Sequence, residues 1–92
     1  MEELDKKIAE WLGMDRVPHF SRSMGLCFKY IVPKLVDKGY LVKLLTDSSG
    51  ADCQIHGKDG ELLSMWQART PALALCRAVE KLIQVEEDAN NR

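Results

Sequence analysis

The stretch Trp66-Gln67-Ala68-Arg69-Thr70-Pro71-Ala72-Leu73-Ala74-Leu75-Cys76-Arg77-Ala78 constrains the chain most. Residues 62–68 are rich in apolar and aromatic types, as a strand requires. Thr70 is then a helix-capping residue, and Pro71 suits the first helical position, where its missing N–H costs nothing. A strand therefore runs directly into a helix. Ala72, Leu75, Val79, Leu82, Ile83 and Glu86 share one side of that helix, and Arg77, Glu80, Lys81 and Gln84 lie on the other. Ala74 and Ala78 permit close packing. The helix is expected to reach about Val85, with 86–92 as a frayed polar tail.

Upstream, residues 2–13 form a helix with Leu4, Ile8, Trp11 and Leu12 on one stripe and Gly13 as its stop. Ser21 or Ser23 can cap a second helix over about 23–38, with Met24, Cys27, Phe28, Ile31 and Leu35 facing the core. Pro33 falls inside that helix and should kink or locally open it. Tyr40–Thr46, Asp52–His56 and Leu62–Ala68 read as strands. They are separated by Asp47-Ser48-Ser49-Gly50 and by the Asp59-Gly60 hairpin signal. The expected fold is α+β: a three-stranded antiparallel β-meander packed with helices, in the order α-α-β-β-β-α, as one domain over 1–92.

Thirteen basic and fourteen acidic residues leave a net charge of −1. That balance argues against a general binder of nucleic acid or membrane surfaces. Basic residues nevertheless concentrate early: Arg16, Arg22, Lys29, Lys34, Lys38 and Lys43 face only Asp37 between positions 16 and 43. Cys27, Cys53 and Cys76 are widely spaced without a paired motif, which reads as reduced thiols filling the core. The acidic start and the lack of a membrane-length apolar run point to a soluble cytoplasmic protein.

Leu4-Asp5 with Ile8-Ala9, Pro18-His19-Phe20-Ser21 and the stretch Ala68–Ala78 together resemble the phage ABA-sandwich domain family. The resemblance spans most of the chain, and its last motif is the most specific part. The segment Cys27-Phe28-Lys29-Tyr30 with Pro33 departs from the family's more ordinary second helix. The resemblance implies a phage or prophage source, hence a host-cell cytoplasm, and an α/β/α-type layering. It implies no activity.

The candidate ligand site is anionic-ligand chemistry at two helix starts. Phe20-Ser21-Arg22-Ser23 and Arg69-Thr70-Pro71 each precede a helix, where unpaired N–H groups attract phosphate. An arginine there is locally unfavourable without an anion. His19, Phe20 and Trp66 could stack a base. The expected ligand set is therefore His19, Phe20, Ser21, Arg22, Trp66, Arg69 and Thr70. Leu26, Tyr30, Leu63 and Met65 are apolar groups that one small core need not bury, and they form a candidate interface for a homo-oligomer or a host protein.

His19 and His56, with Ser21, Asp52, Cys53 and Asp59, lack any motif for catalysis, so no catalytic residue, cofactor or metal is expected. The expected function is non-enzymatic binding, as in a counter-defence protein that sequesters a host signalling nucleotide or binds a host defence protein. The alternatives are an RNA- or DNA-contacting regulator, suggested by the α-β-β-β-α end, and a self-associating assembly protein.

Overall fold

The computed structural model describes residues 2–90. Helix α1 (Glu2–Leu12) ends where Gly13 adopts a φ of 74°, the left-handed conformation that stops a helix at little cost. A single 3₁₀ turn follows at Phe20–Arg22. Helix α2 spans 24–37, then strands β1 (Leu41–Asp47), β2 (Gly50–His56) and β3 (Leu62–Ala68), and finally helix α3 (Pro71–Asn90). The strands form one antiparallel sheet in the order β1-β2-β3, and this is the α+β meander that the sequence predicts. Among the described residues no helix is long and apolar enough to cross a membrane.

Strand β2 alternates strictly, burying Ala51, Cys53 and Ile55. Those residues and their neighbours on the same face lie beneath the helices. The opposite face exposes Leu41, Lys43 and Leu45 of β1 and Met65 of β3. Helices cover one face only, so the α/β/α layering that the family resemblance implies is not the arrangement here.

Helix α3 is the centre of the molecule. Ala72, Ala74, Leu75, Cys76, Ala78, Val79 and Leu82 are all buried, which takes in most of its circumference along three turns. The small side chains let the helix sit close to the sheet, and buried Ser64 of β3 donates to the Ala78 carbonyl at 2.9 Å. The three cysteines are free and buried, with Cys27 and Cys76 sulfurs 3.9 Å apart. Burial pushes the Cys53 thiol up to about 12, and the contact with Cys27, reinforced by burial, pushes the Cys76 thiol upward as well, so both stay protonated as packing groups.

Pro33 acts as its position predicts, through a specific device. Residues Cys27–Ile31 form a π turn, in which the Val32 N–H reaches back to the Cys27 carbonyl. The wider turn accommodates a proline that has no N–H for the carbonyl four residues earlier. It also rotates the preceding side chains by about one residue's worth, roughly 100°. Cys27, Ile31 and Leu35 are therefore buried at a spacing of four, while Phe28, expected in the core, is 58% exposed. Met24 is half-buried. The cap of this helix is Ser23, whose hydroxyl accepts from the Leu26 N–H at 3.2 Å.

The last helix outruns its expected end near Val85, a second correction. Helix α3 continues to Asn90, and Asn91 and Arg92 lie outside the described residues. Glu86 holds it down. Its carboxylate accepts from the Trp11 indole N–H (3.2 Å), Lys38 (2.7 Å) and the Tyr40 hydroxyl (3.1 Å). Lys34 lies 4.4 Å from the Trp11 ring centroid and donates to the Trp11 carbonyl. One carboxylate thus ties α1, the end of α2 and the entry to β1 onto α3.

Burial alone would raise the Glu86 carboxyl, but the hydrogen bonds from Lys38, Trp11 and Tyr40 outweigh it and hold it below its ordinary range. A carboxylate depressed in the folded state binds fewer protons folded than unfolded. Its stabilisation is present above about pH 4.5 and is lost as pH falls through the lower folded value. Urea unfolding at pH 7 and at pH 3.5 should show this loss, and Glu86→Gln should cost about 1–2 kcal/mol at pH 7 while flattening the acid dependence. An unchanged acid slope in that variant would remove Glu86 as the source.

Candidate functional site, a groove between two helix starts

The 3₁₀ turn is anchored from inside. Phe20 is fully buried and meets Tyr30 edge-on at 6.3 Å between centroids. Ser21 is buried too, its N–H donating to Asp5 Oδ1 at 2.8 Å and its hydroxyl to Asp5 Oδ2 at 3.2 Å. With both neighbours on one side held, Arg22 is turned outward. Across from it, β3 ends at Ala68 and the chain enters α3. The Thr70 hydroxyl accepts from the Leu73 N–H at 3.2 Å, and the Thr70 carbonyl accepts from Ala74 at 3.0 Å. Gly50, at a φ of 143°, brings the β1–β2 turn against this exit: a Cβ there would stand 2.5 Å from the Ala68 carbonyl oxygen.

The two starts face a common groove of about 570 Å³, lined by Ser21, Arg22 and Met24 on one side and by 69–73 on the other. Met24, Pro71, Ala72 and Leu73 give it an apolar floor, and Arg22 and Arg69 supply positive charge. Among the described residues no carboxylate lines it, in a protein with a net charge of −1. Both arginines are exposed, and among the described residues neither forms an ion pair. The positive end of the 20-residue helix α3 points into the same place. Guanidinium groups, the Thr70 hydroxyl and the Ala72 N–H are groups of the kind that bind phosphate or carboxylate; Pro71 has no N–H, and those of Leu73 and Ala74 already pair with Thr70.

Four of the seven expected ligand residues, Ser21, Arg22, Arg69 and Thr70, therefore come together. The other three do not. Phe20 is core and cannot stack a ligand. His19 lines a separate hollow with Glu2, Asp5, Val17 and Arg22. Trp66 points to the helix-covered side of the sheet, opposite Cys53, with the Lys81 ammonium 5.3 Å from its ring centroid. Ser21 lines the groove, but its hydroxyl is committed to Asp5 and Ser23 does the capping. The apolar floor was not legible as a site. Met24 reads as an ordinary core position, and Leu73 lies off the helix's main stripe.

Of the candidate interface residues, Leu26, Tyr30 and Leu63 are half-buried and packed against the core. Met65 alone is exposed, at 40%, on the open sheet face. His56 hydrogen-bonds with Gln54 Oε1 at 3.0 Å and with the Gly60 carbonyl at 3.2 Å. Among the described residues, no group of three or more His, Cys, Asp or Glu side chains could hold a metal ion. No protein-family model, curated protein or solved structure matches the chain.

Proposed function

We propose that this chain is a non-enzymatic binding protein that captures a phosphate-bearing small molecule in the groove between Arg22 and Arg69. The observation behind the reading is the convergence, in one groove, of two arginines that among the described residues have no ion-pair partner and no carboxylate in the lining, a capped helix start and an apolar floor. The phosphate binds the guanidinium groups and the first turn of α3, and the ligand's less polar body lies on Met24, Pro71 and Leu73. Together with the resemblance to small phage proteins, this favours sequestration of a host signalling nucleotide as counter-defence. Duplex RNA is a weaker reading: Arg69 is the only basic residue at the start of the last helix, and the end of that helix is acidic.

The test is thermal unfolding against a panel of cyclic and ADP-ribose-type nucleotides, with pyrophosphate as the minimal anion. A ligand at a hundred times its Kd adds about 2.7 kcal/mol of stability, which is a shift of several degrees in a domain this small. Arg22→Ala and Arg69→Ala should each abolish the shift while leaving the unliganded melting temperature nearly unchanged, because both side chains are exposed. A panel with no stabilising member would count against the proposal.

A further inference from the structure

We infer that Cys27 and Cys76 form a reversible redox latch, in which hydrogen peroxide converts two neighbouring thiols into a disulfide that joins α2 to α3 behind the groove. The inference concerns the thiol pair alone and stands whatever the groove binds.

The two sulfurs lie 3.9 Å apart in the buried core, although the residues are 49 positions apart in sequence. They belong to opposite walls of the groove. Met24 lines one wall and Leu73 the other, and each precedes its cysteine by one helical turn. The Cys27 S–H donates to the Phe20 carbonyl at 3.3 Å, which leaves its sulfur free to accept from the Cys76 S–H. That bond from Cys76 holds the Cys27 thiol below its ordinary range, which makes Cys27 the nucleophile of the pair. Cys53 is the third buried thiol, raised by its burial and outside this hydrogen-bonded pair.

The chemistry needs a two-electron oxidant, and a peroxide supplies it. The Cys27 thiolate attacks one peroxide oxygen, the O–O bond breaks, and hydroxide leaves to take up the Cys27 proton as water. Cys27 is then a sulfenic acid. The Cys76 sulfur attacks the Cys27 sulfur, the S–O bond breaks, and the departing hydroxide takes the Cys76 proton as a second water. Two thiols and one peroxide thus become one disulfide and two waters. Both sulfurs are buried, so the peroxide enters when the chain over Cys27 opens locally. That chain is the three-residue 3₁₀ turn, which Asp5 holds through Ser21.

The experiment is peroxide treatment of the folded full chain, followed by intact mass and non-reducing tryptic mapping. The expected product has lost two hydrogens and links peptide 23–29 to peptide 70–77. Dithiothreitol should restore the starting mass. The cross-link should raise the melting temperature by several degrees, because it closes a long loop in the unfolded chain. An unfolded chain would favour the shorter loops through Cys53, so a link confined to Cys27 and Cys76 reports the folded geometry. Cys53→Ala should still form it. Asp5→Asn, which loosens the turn, should form it about fivefold faster. No cross-link in the folded chain, links that run through Cys53, a lowered melting temperature, or an Asp5→Asn chain that oxidises no faster would each overturn the inference.

Discussion

Phe20→Ala is expected to cost about 3–5 kcal/mol, the typical range for removing a fully buried aromatic ring. Domains of this size hold only about 5–15 kcal/mol in total. The variant should therefore unfold at much lower denaturant concentration or populate the unfolded state at rest. The damage has two routes. The ring fills the space beneath the 3₁₀ turn and packs edge-on to Tyr30, so a cavity opens where α2 begins. The turn also loses its apolar anchor, which frees Arg22. Circular dichroism followed through a urea titration gives the cost directly. A variant of native stability with weakened ligand binding would instead make Phe20 the stacking residue that its sequence position suggests.

Asp5→Ala should cost about 2–4 kcal/mol through a different mechanism. Asp5 is 4% exposed, and both of its oxygens accept from Ser21. Removing it leaves a buried N–H and a buried hydroxyl without an acceptor, and each unmet donor costs about 1–3 kcal/mol. Asp5→Asn keeps one carbonyl oxygen and should recover part of the loss. Ser21→Ala leaves the backbone bond in place and should be milder than Asp5→Ala. If Asp5→Ala and Ser21→Ala cost the same, the backbone hydrogen bond contributes nothing. Since this contact orients Arg22, Asp5→Asn should also lower ligand affinity in a chain that still folds.

These two residues mark the boundary between what the sequence reveals and what it hides. Local chemistry was legible. Thr70-Pro71 starts a helix, Gly13 and Gly39 follow helix ends, and β2 alternates as a half-covered strand should. Each follows from a few neighbouring residues. Phe20 was not legible as core, because a lone aromatic in a Pro-His-Phe-Ser loop has no periodicity around it to show which way it points. Pro33 announced a disturbed helix, but not that a π turn would send Phe28 outward. Glu86 looked like part of a charged tail. Its role depends on Trp11, Lys38 and Tyr40, which are 46 or more residues away in sequence. At the candidate site, both arginine-bearing helix starts could be read separately. That they share one groove is a property of tertiary packing, which puts the 3₁₀ turn against the start of α3.

The most direct measurement is a ¹H–¹⁵N titration of the folded chain with an ADP-ribose-type nucleotide, and with pyrophosphate in parallel. Saturable shifts at the Ala72 and Leu73 amides and at the side-chain Nε–H groups of Arg22 and Arg69, absent in the Arg22→Ala and Arg69→Ala chains, are the predicted result. Resonances that stay unmoved there, or that move instead around His56 or Trp66, would contradict a ligand groove between the two helix starts.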